Sequence, residues 1–160
     1  MKATFVFLMG FLLAISACGQ GQVIFANTPS TQLRTNSCCG GIGVFCNQTG
    51  ITTGAGQYTV GLYVAPFGIT DDSSFTRVAN TLSQSGLGNG LFNGGTVTVQ
   101  GLTPGSLMTF QIRVWQTAGG SSYEEAVQNA PASGRWFFAK SARGFVVLGP
   151  NPIPSIDPIP

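Results

Sequence analysis

Val97–Trp115 reads VTVQGLTPGSLMTFQIRVW and sets the architecture. Val97 and Val99 alternate with Thr96 and Thr98, the period-two spacing that sends every second side chain to one face of a strand. Leu102-Thr103-Pro104-Gly105 predicts a turn, because proline presets φ and glycine accepts the positive φ that a reversing backbone needs. Alternation then resumes. Met108, Phe110, Ile112 and Val114 fall on one face of the second strand, and Thr109, Gln111, Arg113 and Trp115 on the other.

Similar signals lie on both sides. Gln22–Asn27 is a short β-prone run stopped by Thr28-Pro29-Ser30. Tyr58, Val60, Leu62 and Val64 alternate with Thr59, Gly61, Tyr63 and Ala65 until Pro66 ends the run. Asp71-Asp72-Ser73-Ser74 predicts a turn, Phe75–Ala79 another short strand, and the glycine-rich Gly86–Gly95 a loop. Ser121–Gln128 predicts a short helix capped by Ser121 or Ser122, with Glu124 and Glu125 in the first turn, where the helix dipole favours acids. Trp136–Ala139 and Phe145–Leu148 predict the last two strands. Short strands separated by turn signals, with at most one short helix near 121–128, predict an all-β, antiparallel β-sandwich. One domain would occupy 20–149, with a Cys/Gly-rich loop at 31–56 and a proline-rich extended tail at 150–160.

The Val97–Trp115 unit resembles the strand–LxPG–strand element of fibronectin type III and immunoglobulin-like sandwiches. With VIFANTPST (Val23–Thr31), YTVGLYVAP (Tyr58–Pro66) and GSSYEEAV (Gly120–Val127), it is similar to a group of uncharacterised secreted bacterial proteins, many of which end in a PEP-CTERM sorting anchor. The resemblance implies export and a sandwich of that type, and it implies no activity. This chain departs from the group after Leu148, where a proline-rich segment stands in place of an apolar anchor helix and basic cluster.

Composition narrows the chemistry. The 160 residues include 7 basic, 5 acidic and no histidine, for a net charge of +2. Only 8% are charged, against about a quarter in an ordinary soluble protein. Without imidazole, Ser-His-Asp and Cys-His catalysis and His-ligated metal sites are excluded. The positive residues are scattered, so no nucleic-acid partner is expected. With 43% hydrophobic residues the chain can still bury a core.

The N-terminus predicts export. Met1-Lys2 precedes an apolar run from Ala3 to Ala17, and fifteen helical residues reach about 22 Å, short of the roughly 30 Å of bilayer hydrocarbon. Residues 1–19 therefore read as a signal peptide. Ile15-Ser16-Ala17-Cys18 resembles a lipobox, which would acylate Cys18 and leave an outer-membrane or periplasmic lipoprotein. Cleavage after Gly19 would release a free chain instead. Membrane contact is expected only through the signal peptide or a lipid on Cys18.

Each candidate site has a plain structural reading beside it. Cys38, Cys39 and Cys46 are disulfide candidates: a bridge to Cys46 would close a short loop, while three thiols leave a zinc site one ligand short. Glu124 and Glu125 point about 100° apart on a helix and cannot flank one glycosidic bond together. Asp71 and Asp72 lack the alternating spacing of a calcium loop and fit a turn. Gly86, Gly88 and Gly90 fail the dinucleotide pattern at Leu91, and no cofactor is expected. Asn47-Gln48-Thr49 matches a glycosylation sequon, which a bacterial source would leave unused. Trp115, with Arg113, Tyr123 and Trp136, is the candidate ligand platform: an exposed ring there would stack on a sugar. Against that stands the alternative that the 121–128 segment buries Trp115. The expectation is a non-enzymatic cell-surface or extracellular-matrix protein acting by adhesion or assembly, with itself or surface glycans as partner. The alternative is a carbohydrate-binding module.

Overall fold

A computed structural model describes residues 20–35, 50–51, 56–83, 90–133 and 137–150. The described strands are β1 (Gly21–Ala26), β2 (Arg34–Thr35), β3 (Gly50–Ile51), β4 (Tyr58–Pro66), β5 (Thr76–Leu82), β6 (Asn93–Val99), β7 (Leu107–Gln116), β8 (Phe138–Lys140) and β9 (Gly144–Val147). One helix, α1 (Tyr123–Ser133), follows β7. All pairings are antiparallel. β5, β4 and β7 form the large sheet in that order, and β8 and β9 lie one after the other along the far side of β7. β1 and β6 form the small sheet, and β2 pairs with β3. The chain is an all-β sandwich.

The alternating residues build the core between the sheets. Val60, Leu62 and Val64 of β4 and Met108, Phe110 and Ile112 of β7 meet Val23 and Phe25 of β1 and Val97 and Val99 of β6, with Phe92 and Leu148. Phe25 and Phe92 stack at a tilt, their centroids 5.1 Å apart. The sheets also touch at both seams, through a Gln22–Gly149 bridge on one side and a Ser83–Phe92 bridge on the other. The turn that joins β6 to β7 uses Gly105 at φ +86°, as the Pro-Gly pair predicts.

Several boundaries differ from the sequence reading. β6 begins at Asn93, inside the stretch read as a loop to Gly95: a side chain at Gly94 would collide with the Phe25 ring, so this glycine serves packing rather than flexibility. β5 extends past Ala79 to Leu82 because β4 offers it partners as far as Thr59. The 31–56 stretch is not all loop, since β2 and β3 pair Arg34 with Ile51 and Thr35 with Gly50. α1 runs beyond Gln128. Cys18, Cys38, Cys39, Cys46, Trp136 and residues 151–160, which hold most of the proline-rich tail, lie outside the described residues.

The larger difference concerns the outer face of the large sheet. Alternation in β4 and β7 predicts one buried face, yet every residue of β4 except Pro66 is buried, as are Met108–Arg113 and Trp115 of β7. A second layer therefore covers this face. Gly61 shows how tightly: an added Cβ would sit 2.8 Å from the Tyr63 ring and 3.1 Å from that of Trp115.

Gly61→Ala is expected to lower stability by about 1–3 kcal/mol through overpacking against those rings. Leu62→Ala, on the opposite face, should lower it by about 2–5 kcal/mol through the cavity it leaves. Urea unfolding midpoints at constant slope measure both.

Candidate functional site

The second layer is organised around Arg113. Cross-strand pairing places Arg113 opposite Gly61 on β4 and Lys140 on β8, in the middle of the large sheet. A guanidinium is almost never fully buried unless it is paired, and Arg113 is 5% exposed. Its donors are all directed at acceptors in the chain. Nε donates to Gln111 Oε1 at 3.0 Å, Nη1 to Glu124 Oε1 at 2.8 Å, and Nη2 to the Asp72 carbonyl at 2.9 Å. Its plane lies over the Tyr63 ring, 4.2 Å from the centroid, with Tyr123 at 5.4 Å and Phe75 at 6.0 Å. Arginine suits such a position because its flat, weakly hydrated cation stacks on aromatic faces while its fork serves several acceptors.

Glu124 completes the clamp. Its second oxygen accepts from the Tyr63 hydroxyl at 3.1 Å, so one carboxylate joins α1 to both β4 and β7. Burial pushes the Tyr63 phenol up to about 12, helped by the neighbouring Glu124 charge and opposed by Arg77 and Arg113. Burial also raises the Tyr123 phenol. Local sequence fixes the helix start: Ser122 Oγ accepts from the Glu125 amide, and Glu125 Oε2 accepts from the Ser121 amide and hydroxyl. Those Ser121 bonds hold the Glu125 carboxyl below its ordinary value. The two glutamates therefore act in opposite directions, one into the sheet and one back along the chain.

A second ionic group borders the first. Asp72 pairs with both Lys140 and Arg143, the latter at 2.9 Å. These two partners hold its carboxyl down at about 2, well under its ordinary 3.8. Asp71 caps the short 3-10 turn Asp72–Ser74 by accepting from Ser73 and Ser74, which lowers its own carboxyl. The acidic pair thus has the turn role. Among the described residues no group of three His, Cys, Asp or Glu side chains stands close enough to hold a metal ion.

The proposed sugar platform is corrected here. Trp115 is fully buried, with Nε1 donating to the Gly120 carbonyl at 2.9 Å and Arg77 lying 6.0 Å over its ring. Residues 117–126 cover it because the chain folds straight back over β7. Arg113 is buried beneath α1 and the 72–74 turn, so neither side chain faces a ligand. Tyr123 is half-buried and stacks edge-on to Phe138 at 6.0 Å. Sequence reasoning placed Asp72 in a turn and Tyr63 in a strand but did not connect either with Arg113, nor Asp72 with Lys140 and Arg143, because the partners lie far apart along the chain. The available signal was a lone charged residue, Arg113, inside a strand that holds no other charge.

Chemically this constellation is a clamp. No buried side-chain nitrogen or oxygen among the described residues lacks a hydrogen-bond partner. Eight of the nine described charged residues belong to this layer, Arg34 being the ninth. The outer face of β1 and β6 is correspondingly uncharged. There Gln22 bonds Thr98 at 3.5 Å, and just beyond the strand ends Gln20 bonds Gln100 at 2.6 Å. No family model, curated protein or solved structure matches the chain.

Glu124→Gln removes the negative charge that answers a buried guanidinium. It is expected to lower stability by about 1–3 kcal/mol, below the full penalty for breaking a buried pair because the glutamate is half exposed. Thermal unfolding at neutral pH measures it. Asp72 stabilises the fold fully above pH 3.8 and progressively less as the pH falls to about 2, and Asp72→Asn should remove that part of the acid dependence. Tyr63 works in the opposite sense: its contribution is complete below pH 10 and is lost as the pH rises through about 12. Tyr63→Phe should flatten a melting-temperature profile over that alkaline window.

Proposed function

We propose that the chain is an exported, non-enzymatic protein of the bacterial cell surface or extracellular matrix that acts by adhesion or assembly. The observation that carries this reading is the distribution of exposed apolar side chains. Of the five large apolar side chains more than 40% exposed among the described residues, Phe138, Phe145 and Val147 lie on β8 and β9 and Phe67 packs against Phe145, while Leu82 on β5 stands apart. Apolar side chains gathered on one border of a folded chain mark an interaction surface. The polar groups of the neighbouring Arg113 clamp, in contrast, are engaged with one another.

Export is supported by the charged start, the apolar Ala3–Ala17 run and the small residues that follow it. The likeness to secreted bacterial proteins of the PEP-CTERM type agrees with it. The fibronectin type III or immunoglobulin-like reading gains support from the strand order, in which β9, β7, β4 and β5 follow the G-F-C-C′ order and β1 and β6 stand as B and E. The second reading, a carbohydrate-binding module, now has to use Phe67 and Phe145, whose rings meet edge-on at 6.0 Å. Trp115 is no longer available to it.

Labelling of intact source cells with an antibody to the chain, beside fractionation of the culture medium, tests the proposal. Signal on unpermeabilised cells or in the matrix fraction is expected, and confinement to the cytoplasm would sink it. Retention on an insoluble polysaccharide that Phe145→Ala abolishes would move the assignment to the second reading.

A further inference from the structure

Among the described residues, β8 and β9 form one interrupted edge of the large sheet. Both pair with β7 on one side, and between them the Ser141 amide donates to the Ile112 carbonyl at 2.8 Å. Pairing fixes which way the side chains point: Phe138 stands opposite Trp115, Phe145 opposite Thr109 and Val147 opposite Leu107, all on the same face. Phe145 is 70% exposed and Phe67 packs against it. Such an edge invites pairing with another chain, and proteins commonly prevent this by placing lysine or arginine along it. The two cations here, Lys140 and Arg143, are both tied back to Asp72 of the same molecule. The devices that would repel an identical edge are thereby muted.

We infer that this edge is where two copies of the chain meet, with β8 of one molecule alongside β9 of the other about a two-fold axis near residues 141–143. Identical edges pair antiparallel under a two-fold axis, which makes the contact self-complementary. That arrangement sets Phe138 of each copy beside the Phe145–Val147 strand of its mate. It also keeps clear of Gly149, whose backbone is occupied by Gln22 of β1. Asp72 serves as the permissive element: by pairing with both cations it lets like edges approach. The inference rests on the assembly reading above and names the partner as a second copy.

Sedimentation equilibrium of the exported chain, with reductant present so that no cysteine cross-link contributes, provides the test. A concentration-dependent dimer is expected. Phe145→Lys and Val147→Lys should each weaken it about tenfold or more, with circular dichroism showing the fold retained. Asp72→Asn leaves every apolar contact in place and should weaken the dimer about three- to fivefold through freed like charges, with recovery in 1 M salt. A loss of packing would not recover in salt. A chain that stays monomeric to millimolar concentration overturns the inference, as does a dimer that both lysine variants leave intact or an Asp72→Asn defect that salt does not reverse. A monomer that still labels the cell surface would overturn edge pairing alone and leave adhesion standing.

Discussion

A guanidinium in the middle of a buried strand constrains everything built over it. Arg113 needs acceptors on three sides, and the chain brings them from a neighbouring residue on β7, from the first turn of α1 and from the turn at Asp72. Leaving any of these positions empty would strand a charge away from water, which is more costly than leaving an apolar side chain loosely packed. The helix is therefore held by a specific ionic contact as well as by burial of Ala126. Tyr63, Phase-matched to the same face of β4, supplies both the stacking surface beneath the guanidinium and a proton donor to Glu124.

The consequence is a segregated molecule. Charges are sparse, and all those described except Arg34 gather over one layer, where each acid is matched to a cation, a turn or a helix start. The outer face of the small sheet is left to amides and hydroxyls, and the β8–β9 border to aromatic and aliphatic side chains. Tyr63 is shifted mainly by its own burial, and Asp72 by the Lys140 and Arg143 that it holds in place. This arrangement fastens the second layer to the large sheet.

Legibility in the sequence followed the range of the interactions. The Val97–Trp115 unit, the Tyr58–Pro66 strand and the capped helix depend on spacing two to four residues apart, and each was readable from that spacing. That Glu124 and Glu125 diverge by about 100° followed from helix geometry for the same reason. Asp72 with Lys140 and Arg143 could not be read in this way, because 68 and 71 residues separate the partners. The Gly94 and Gly61 positions were opaque for a related reason: a glycine that makes room for a ring looks, in sequence, like a glycine that makes a turn.

Sequence alone therefore determined the class of fold, the central hairpin, the single helix and the poverty of charge, since these are properties of local alternation and of composition. Tertiary structure decided that both faces of β7 are covered. Alternation says that Trp115 and Arg113 share a face, and it is silent on what later folds over that face. Whether a side chain is a ligand platform or a core residue depends on that covering, which is set by how α1 and the Asp72 turn pack across the sheet.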